Sequence, residues 1–167
     1  MHYKSGLLPL QGMSLESRTG GEGSFKGLTI LMRAIERLHA TGEVSKRSGV
    51  VLERALHPVL FVTADRGVAR VNDLATDLGL EASTVSRHVS KLVRKGLAIR
   101  DADAGDRRAS AVRLTSEGLD MHDCLRETWQ TILADAAEQA GIDEVEFGIC
   151  FTAMAFGMAG LLGNGEQ

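Results

Sequence analysis

Apolar residues recur at helical spacing in two consecutive segments near the middle of the chain, and this pattern predicts two short helices. The first segment, Val71–Leu78, is followed by Gly79, the residue type that best tolerates the left-handed conformation at a helix end. The second segment covers residues 83–95, starts with two hydroxyl residues suited to a helix N-terminus, and stops at Gly96. We therefore expect two helices separated by a tight turn.

The second predicted helix has one apolar face and one basic face. The apolar face consists of Val85, Val89, Leu92 and Val93. The opposite face carries Thr84, Arg87, His88, Lys91, Arg94 and Lys95. No Glu occurs between residues 82 and 95, although a solvated helix normally mixes charges of both signs for pairing one turn apart. Two helices and a turn with a basic outer face are typical of a helix-turn-helix.

Two short strand candidates, Leu97–Arg100 and Ala111–Leu114, follow the second helix. The loop between them, Asp101–Ser110, is polar and contains the run Asp106-Arg107-Arg108. A β-hairpin with a charged tip directly after a recognition helix is a wing, so the segment predicts a winged helix-turn-helix.

Several motifs occur together in this segment with a specific order and spacing. They are Asp73-Leu74-Ala75, Ser83-Thr84-Val85-Ser86-Arg87, Gly96-Leu97 with Arg100, and Asp106-Arg107-Arg108-Ala109 ahead of Leu114-Thr115 and Gly118. In this combination the chain resembles the MarR-type winged-helix regulators, in its middle third by motif and in its flanking helices by pattern. The resemblance implies a DNA-binding protein that is most often a repressor relieved by a small effector.

Further helices are predicted on the N-terminal side. Residues Phe25–Ala40 have Leu and Ile at spacings of three and four, followed by Gly42, and fit equally well as a core helix or as a dimer helix. Residues Leu52–Ala64 form a second candidate helix, which Pro58 would kink or whose beginning it would mark. Residues 1–23 lack apolar periodicity, and we expect a mostly disordered tail.

On the C-terminal side, Thr115 is placed to cap a long helix that extends to Gly141. Asp143 then resembles the first residue of a capping box ahead of a last helix, Phe147–Leu162, which is apolar nearly all round. Its sixteen residues are fewer than the roughly 20 that cross a bilayer, and no basic cluster flanks them. Burial in a dimer core is therefore preferred over a membrane anchor.

These elements predict a mainly α fold, a winged helix-turn-helix with a small antiparallel β-hairpin wing and flanking N- and C-terminal dimerisation helices. We expect a single winged-helix domain over residues 24–167. Its reader and wing would occupy about residues 50–115, and the dimerisation helices about residues 24–42 and 115–163.

The composition is that of an ordinary globular protein, with 44% hydrophobic and 25% charged residues. The net charge of −3 is unevenly distributed. Residues 84–113 contain eight Lys and Arg against three Asp, whereas residues 115–167 contain one Arg against ten Asp and Glu. A polyanion is thus attracted to the first region and repelled by the second. The N-terminus lacks the pattern of a secretory signal, so we expect a cytoplasmic protein.

No arrangement of reactive side chains predicts an enzyme, a cofactor or a metal site. The five histidines accompany no Ser/His/Asp order, no phosphate-binding glycine loop and no HExxH motif. The cluster Asp120–Cys124 places only two candidate ligands on one helix face, too few to hold a metal. Cys124 and Cys150 lack a basic neighbour on the same face that would activate a thiol, so buried, inert packing is expected for both.

The predicted DNA contacts are divided between the recognition helix and the wing. The side chains that would reach base edges or phosphates are Ser83, Thr84, Ser86, Arg87, His88, Lys91, Arg94, Lys95, Arg107 and Arg108. The resemblance implies that Arg108 enters the flanking minor groove, and Asp106 would support the hairpin tip by pairing with a nearby Arg.

We therefore predict a sequence-specific, double-stranded-DNA-binding transcriptional regulator that binds a pseudo-palindromic operator as a homodimer. The resemblance places a small-molecule effector between the dimer helices and the reader, near residues such as His39, Leu56 and Leu60. Two alternatives stay open: a winged-helix module that binds a protein partner, and a thiol- or redox-responsive regulator.

Overall fold

The computed structural model describes residues 21–102 and 110–163, which fall into two units that divide between Glu43 and Val44. In the first unit, helix α1 covers Gly21–Ala40 and is followed by Gly42 in the left-handed region, with φ +68°. This helix begins four residues before the predicted start, inside the segment assigned to a disordered tail. That assignment is wrong for residues 21–23, and residues 1–20 lie outside the described part of the chain.

The second unit builds a winged helix-turn-helix with two C-terminal helices. In chain order its elements are α2 (Glu43–Ser48, which starts at the division), a 3-10 turn (Arg54–Leu56), α3 (His57–Arg66), β1 (Ala69–Arg70), α4 (Val71–Leu78), α5 (Ala82–Arg94), β2 (Ala98–Ala102), β3 (Ser110–Leu114), α6 (Ser116–Ala140) and α7 (Glu144–Gly163). The mainly helical fold with a small antiparallel wing is confirmed. The prediction that residues 24–167 form a single domain stays a prediction.

The helix boundaries near the reader follow local sequence signals with two exceptions. α4 has the predicted bounds and ends at Gly79 with φ +60° and ψ +34°, the left-handed conformation expected there. α3 starts at His57 rather than at Leu52, and Pro58 lies in its first turn, where a missing amide donor removes no helix hydrogen bond. Glu81 occupies the N-cap of α5 without a side-chain cap, so the predicted cap at residues 83–84 is wrong.

The three strands form one antiparallel sheet in the order β1-β3-β2. Ala98 pairs with Leu114 across the wing hairpin, and Ala69 pairs with Val112 on the other side of β3. The hairpin is the one that the sequence predicts. The strand β1 was not predicted, because two residues are too few to show an alternating pattern.

The core of the second unit is aliphatic, as the scarcity of aromatic residues requires. Its largest completely buried side chains are Leu56, Leu60, Leu74, Leu92 and Leu125, contributed by the 3-10 turn, α3, α4, α5 and α6. Burying a Leu side chain stabilises a fold by about 1.5–3 kcal/mol relative to leaving it exposed. These contacts fix the reader helices on α3, which in turn packs against α6.

The start of α6 is tightly joined to the α5–β2 junction. The Thr115 hydroxyl accepts a hydrogen bond from the Gly118 amide at 3.0 Å, which confirms the predicted cap, and donates to the Gly96 carbonyl at 2.7 Å. The Thr115 amide donates to the Leu97 carbonyl oxygen at 3.1 Å. A Cβ at position 118 would lie 2.0 Å from that same oxygen, so only glycine fits there.

Helix α7 begins at Glu144, three residues before the predicted start. The Asp143 carboxylate accepts hydrogen bonds from the amides of Val145 and Glu146 at 3.0 and 3.1 Å, so its predicted capping role is confirmed. In this single chain α7 leaves large apolar side chains exposed, among them Phe156 at 74%. Within the described ranges, no helix has the length and apolar character needed to cross a membrane.

Candidate nucleic-acid interface

Helix α5 is held by its apolar face and presents its polar face outward. Val85, Val89 and Leu92 are completely buried, and α5 contacts α3, α4, β2 and the 3-10 turn. The polar residues predicted to contact DNA lie on the other side: Ser83, Arg87, Arg94 and Lys95 are exposed, and Thr84, Ser86, His88 and Lys91 are half-buried. The structure thus brings all eight helix residues of the predicted set onto α5 and its C-cap.

Near the N-terminal end of α5, the Arg87 guanidinium donates a hydrogen bond to the Thr84 hydroxyl at 3.2 Å. The bond uses one of the five donors of the guanidinium, so the group keeps donors for a bidentate contact with a base edge. In helix-turn-helix proteins, base contacts concentrate at the N-terminal part of the recognition helix. Arg87 therefore has the chemistry and the position to distinguish bases.

Farther along α5, the Lys91 ammonium forms an ion pair with the Glu53 carboxylate at 2.5 Å. The hydrogen bond from Lys91 is the largest effect and holds the pKa of Glu53 below its usual value. Loss of solvent around the carboxylate opposes it, and the charges of Lys91, Lys95 and Arg94 add to the lowering. Glu53 could not be found from the sequence, because it lies 38 residues before Lys91 and belongs to no motif.

Arg100 connects the wing to the recognition helix. One terminal nitrogen of its guanidinium lies 3.0 Å from the Ser86 carbonyl oxygen, 3.2 Å from the Ser86 hydroxyl and 3.3 Å from the Ser90 hydroxyl. Because Arg100 is on β2 and both serines are on α5, the contacts fix the base of the wing against the helix. In the sequence, Arg100 stands out only as part of a motif and has no assigned role.

His88 has a more restricted position than the sequence suggested. Its side chain is half-buried, and its Nδ1 atom is buried with no hydrogen-bond partner among the residues that the structure describes. A buried Nδ1 is inaccessible to a ligand on the surface. Nε2 is therefore the ring nitrogen left for any contact with DNA.

The tip of the wing, with the predicted residues Asp106, Arg107 and Arg108, lies outside the described residues. At the base of the wing, the Arg113 guanidinium on β3 donates to the Asp101 carboxylate on β2 at 2.8 Å. This ion pair links the two strands on their exposed surface.

The residues predicted for an effector pocket lie in two different units. Leu56 and Leu60 are completely buried in the second unit, one helical turn apart. His39 belongs to α1 in the first unit, and its Nδ1 lies 3.0 Å from the Ile35 carbonyl oxygen. In the second unit, an effector would reach the two leucines only after their neighbours had moved.

Both cysteines are free thiols. The Cys124 sulfur is half-buried and donates to the Ser48 carbonyl oxygen at 3.1 Å, whereas Cys150 is exposed in this single chain, contrary to the expected burial. Within residues 21–102 and 110–163, no three His, Cys, Asp or Glu side chains form a group that could hold a metal ion.

Residues 52–109 match the sequence model of the MarR family, a range that contains α3, α4, α5 and β2. This segment is a MarR-type winged helix. The resemblance drawn from the motifs is thereby confirmed. MarR-family proteins are transcriptional regulators rather than enzymes. None of the curated proteins compared with this chain matches it.

Solved structures extend the similarity beyond the MarR segment. A probable transcriptional regulator from Pseudomonas aeruginosa is 24% identical, with a TM-score of 0.59 over 76% of this chain and 92% of its own. A mutant MarR from E. coli complexed with operator DNA is 18% identical, with a TM-score of 0.57 over 78% and 95% of the two chains. NadR in complex with 4-hydroxyphenylacetate is 18% identical, with a TM-score of 0.60 over 77% and 89%. At these identities the likeness shows a shared fold.

Proposed function

We propose that this chain is a sequence-specific, double-stranded-DNA-binding transcriptional regulator, with α5 as its recognition helix. The observation that carries the proposal is the outer face of α5, which is basic, free of acidic residues and anchored by three completely buried side chains on its inner face. A MarR of the same fold is complexed with operator DNA, which supports this use of the winged helix. A wing tip of Asp106-Arg107-Arg108 suits a phosphate backbone better than an apolar protein partner.

Two kinds of DNA contact are expected along α5. Arg87, held by Thr84 near the helix N-terminus, would read a base, together with Nε2 of His88. Arg94 and Lys95, exposed in the last turn and beyond it, would contact phosphates and carry no sequence information. Ser83, Ser86 and Lys91 complete the proposed surface.

The experiment starts with selection of binding sites from random duplexes, followed by affinity measurements at several salt concentrations. Arg94→Ala should weaken binding to every duplex and lower the salt slope by about one unit. Arg87→Ala should instead relax the preference at one base position by about 1–3 kcal/mol. Arg126→Ala is the matched control, because Arg126 is an exposed arginine on α6, away from the recognition helix. The control should bind every duplex as wild type does. A wild-type chain that binds no duplex even at low salt would refute the proposal.

The wing would add a contact in the minor groove. An arginine is favoured in the narrow, electronegative minor groove of A·T-rich sequences, so Arg108→Ala should reduce affinity more on A·T-flanked sites than on G·C-flanked sites. Arg107 would contact the adjacent backbone, and Asp106 would support the hairpin tip. Equal losses on both flanks would exclude the minor-groove role of Arg108.

We also propose that the protein acts as a homodimer. Apolar side chains on α7 are largely exposed in the single chain, including Val145 at 69%, Ile149 at 64% and Phe156 at 74%. In α1, Phe25 at 72% and Met32 at 61% are exposed in the same way. Soluble monomers rarely expose contiguous apolar surface on this scale, and a symmetric dimer covers it on both copies at once. A dimer would present two recognition helices to half-sites roughly 34–36 Å apart.

The oligomeric state is testable by sedimentation or light scattering of the full chain. Phe156→Glu should shift the protein toward monomer, because the change places a charge in the proposed interface, and deletion of residues 145–167 should yield monomer or aggregate. Val51→Glu is the control, since Val51 is 86% exposed and lies outside both dimer helices. A soluble, tight dimer after the deletion would exclude α7 from the interface.

We further propose that a small-molecule effector regulates DNA binding. NadR, which shares the fold, is in complex with 4-hydroxyphenylacetate, so aromatic carboxylates are the first probes. An effector releases DNA only if it favours a different separation of the two recognition helices. A repressor relieved in this way should lose operator affinity as ligand is added. His39→Ala and the volume-conserving changes Leu56→Met and Leu60→Met test the proposed effector residues. His39 is excluded if its substitution changes neither ligand response nor basal affinity.

A further inference from the structure

The carboxylate of Glu53 occupies a defined place beside the basic face of α5. Its backbone is fixed by buried residues on both sides, Leu52 at 8% exposure and Leu56 at 0%. The Leu56 amide donates to the Glu53 carbonyl oxygen at 2.8 Å, which closes the 3-10 turn. The side chain itself is about half exposed and reaches Lys91 across 2.5 Å. The 3-10 turn thus positions the negative charge of Glu53 beside the recognition helix α5.

The Glu53 carboxylate offers Lys91 the same kind of contact that a DNA phosphate would offer. Both groups offer anionic oxygens to an ammonium, and the distance of 2.5 Å leaves Lys91 and Glu53 in direct contact. The other positive charges that act on Glu53 are those of Lys95 and Arg94, at the C-terminal end of the same helix. Glu53 therefore lies among the very cations proposed to bind the DNA backbone.

DNA bound along α5 would bring a second anion to the same ammonium. A phosphate oxygen that approaches Lys91 must either displace the Glu53 carboxylate or remain beside it, and two anions at that separation repel each other. Since Lys91 is already paired with a carboxylate in the free protein, its contact with a phosphate stabilises the complex less than that of an unpaired lysine would.

We propose that Glu53 is an internal competitor of the DNA phosphates for Lys91, which lowers the affinity of the protein for every duplex. The inference rests on the proposed function, because it takes α5 as the recognition helix. Glu53 is a positioning residue that acts through Lys91 and contacts no base. It therefore sets the strength and the salt dependence of binding and leaves the base preference unchanged.

The test is a double-mutant cycle of Glu53→Gln and Lys91→Ala, measured by fluorescence anisotropy on a selected site and on a scrambled duplex at several salt concentrations. Glu53→Gln should tighten binding to both duplexes by about 2- to 5-fold at low salt, as expected for an exposed ion pair. It should also steepen the salt slope by about one unit. On the Lys91→Ala background the gain should disappear. Asp120→Asn is the control, because it removes the same charge from an exposed position on α6.

Three results would overturn the inference: an unchanged affinity, a weaker affinity, or a gain of the same size on the Lys91→Ala background, which would indicate a general charge effect. A thermal unfolding curve checks that Glu53→Gln leaves the fold intact, as expected for an exposed pair. Failure of the proposed function gives a different result, because the wild-type chain would then bind no duplex at all.

Discussion

Replacing Gly118 with alanine would place a methyl carbon between the start of α6 and the α5–β2 junction. That carbon would lie 2.0 Å from the Leu97 carbonyl oxygen and 3.2 Å from the Leu114 Cβ. The first distance is about 1.5 Å short of an ordinary van der Waals separation of roughly 3.5 Å. Because the obstructing atom belongs to the backbone, no side-chain rotation relieves the clash, and α6 must move away from Leu97.

The displacement has a cost that follows from the contacts it breaks. Overpacking a close contact costs about 1–3 kcal/mol. Moving α6 also weakens the bond from the Thr115 amide to the Leu97 carbonyl and the Thr115 cap, each worth about 1 kcal/mol. Alanine has a better helix propensity than glycine, which offsets about 1 kcal/mol of this destabilisation. The net loss is about 2–4 kcal/mol, which lowers Tm by roughly 5–15 °C for a chain of this size.

Circular dichroism melting at a fixed protein concentration measures this loss. Gly27→Ala is the matched control, because Gly27 is also helical and a Cβ there would meet nothing within 4 Å. We expect the control to keep or raise Tm, since alanine favours the helix. The steric explanation is refuted if Gly118→Ala melts within about 1 °C of the control.

Three further predictions concern an ion pair, the hydrogen bonds of Arg100 and the two thiols. Two hydrogen bonds from Arg66 hold the pKa of Asp77 below its usual value. The pair therefore stabilises the fold when the pH is above the usual pKa of an aspartate. This stabilisation is lost as the pH falls through the lowered pKa. The difference in Tm between wild type and Asp77→Asn should therefore be largest at neutral pH and shrink as the pH is lowered into the range where the Asp77 carboxylate takes up its proton. Arg100→Met should weaken binding to all duplexes severalfold without changing the salt slope, because it removes the nitrogen that joins β2 to α5 through Ser86 and Ser90; a slope lowered by about one unit would mean direct phosphate contact. Oxidant should leave the operator affinity of wild type equal to that of a Cys124→Ser, Cys150→Ser double variant, and a selective loss in wild type would support the redox alternative.

The sequence predicts those parts of the fold whose signals are local. Gly79 ends α4 and Thr115 caps α6 as expected, because each conformation is specified by one residue type and its immediate neighbours. The apolar face of α5 follows from spacing alone, and Val85 and Val89 are buried as predicted.

The missing parts depend on contacts between distant residues. Glu53 reaches Lys91 from 38 residues away, and Arg100 reaches Ser86 from 14 residues away. No periodicity or motif records such pairings. The N-terminal boundary of α3 was missed for a related reason, since Pro58 is compatible with either a kink or a helix start until the 3-10 turn before it is seen.

The pairing of β1 with β3 has a consequence for the order in which the reader folds. Ala69 pairs with Val112 and Arg70 with Ala111, so the sheet closes a loop of roughly 40 residues that contains both α4 and α5. Helices and short turns form within about microseconds, whereas this closure must wait until the two ends of the loop meet. We expect an isolated peptide of residues 71–95 to stay largely unfolded, because it contains both helices but lacks the strands β1 and β3 whose pairing closes the loop.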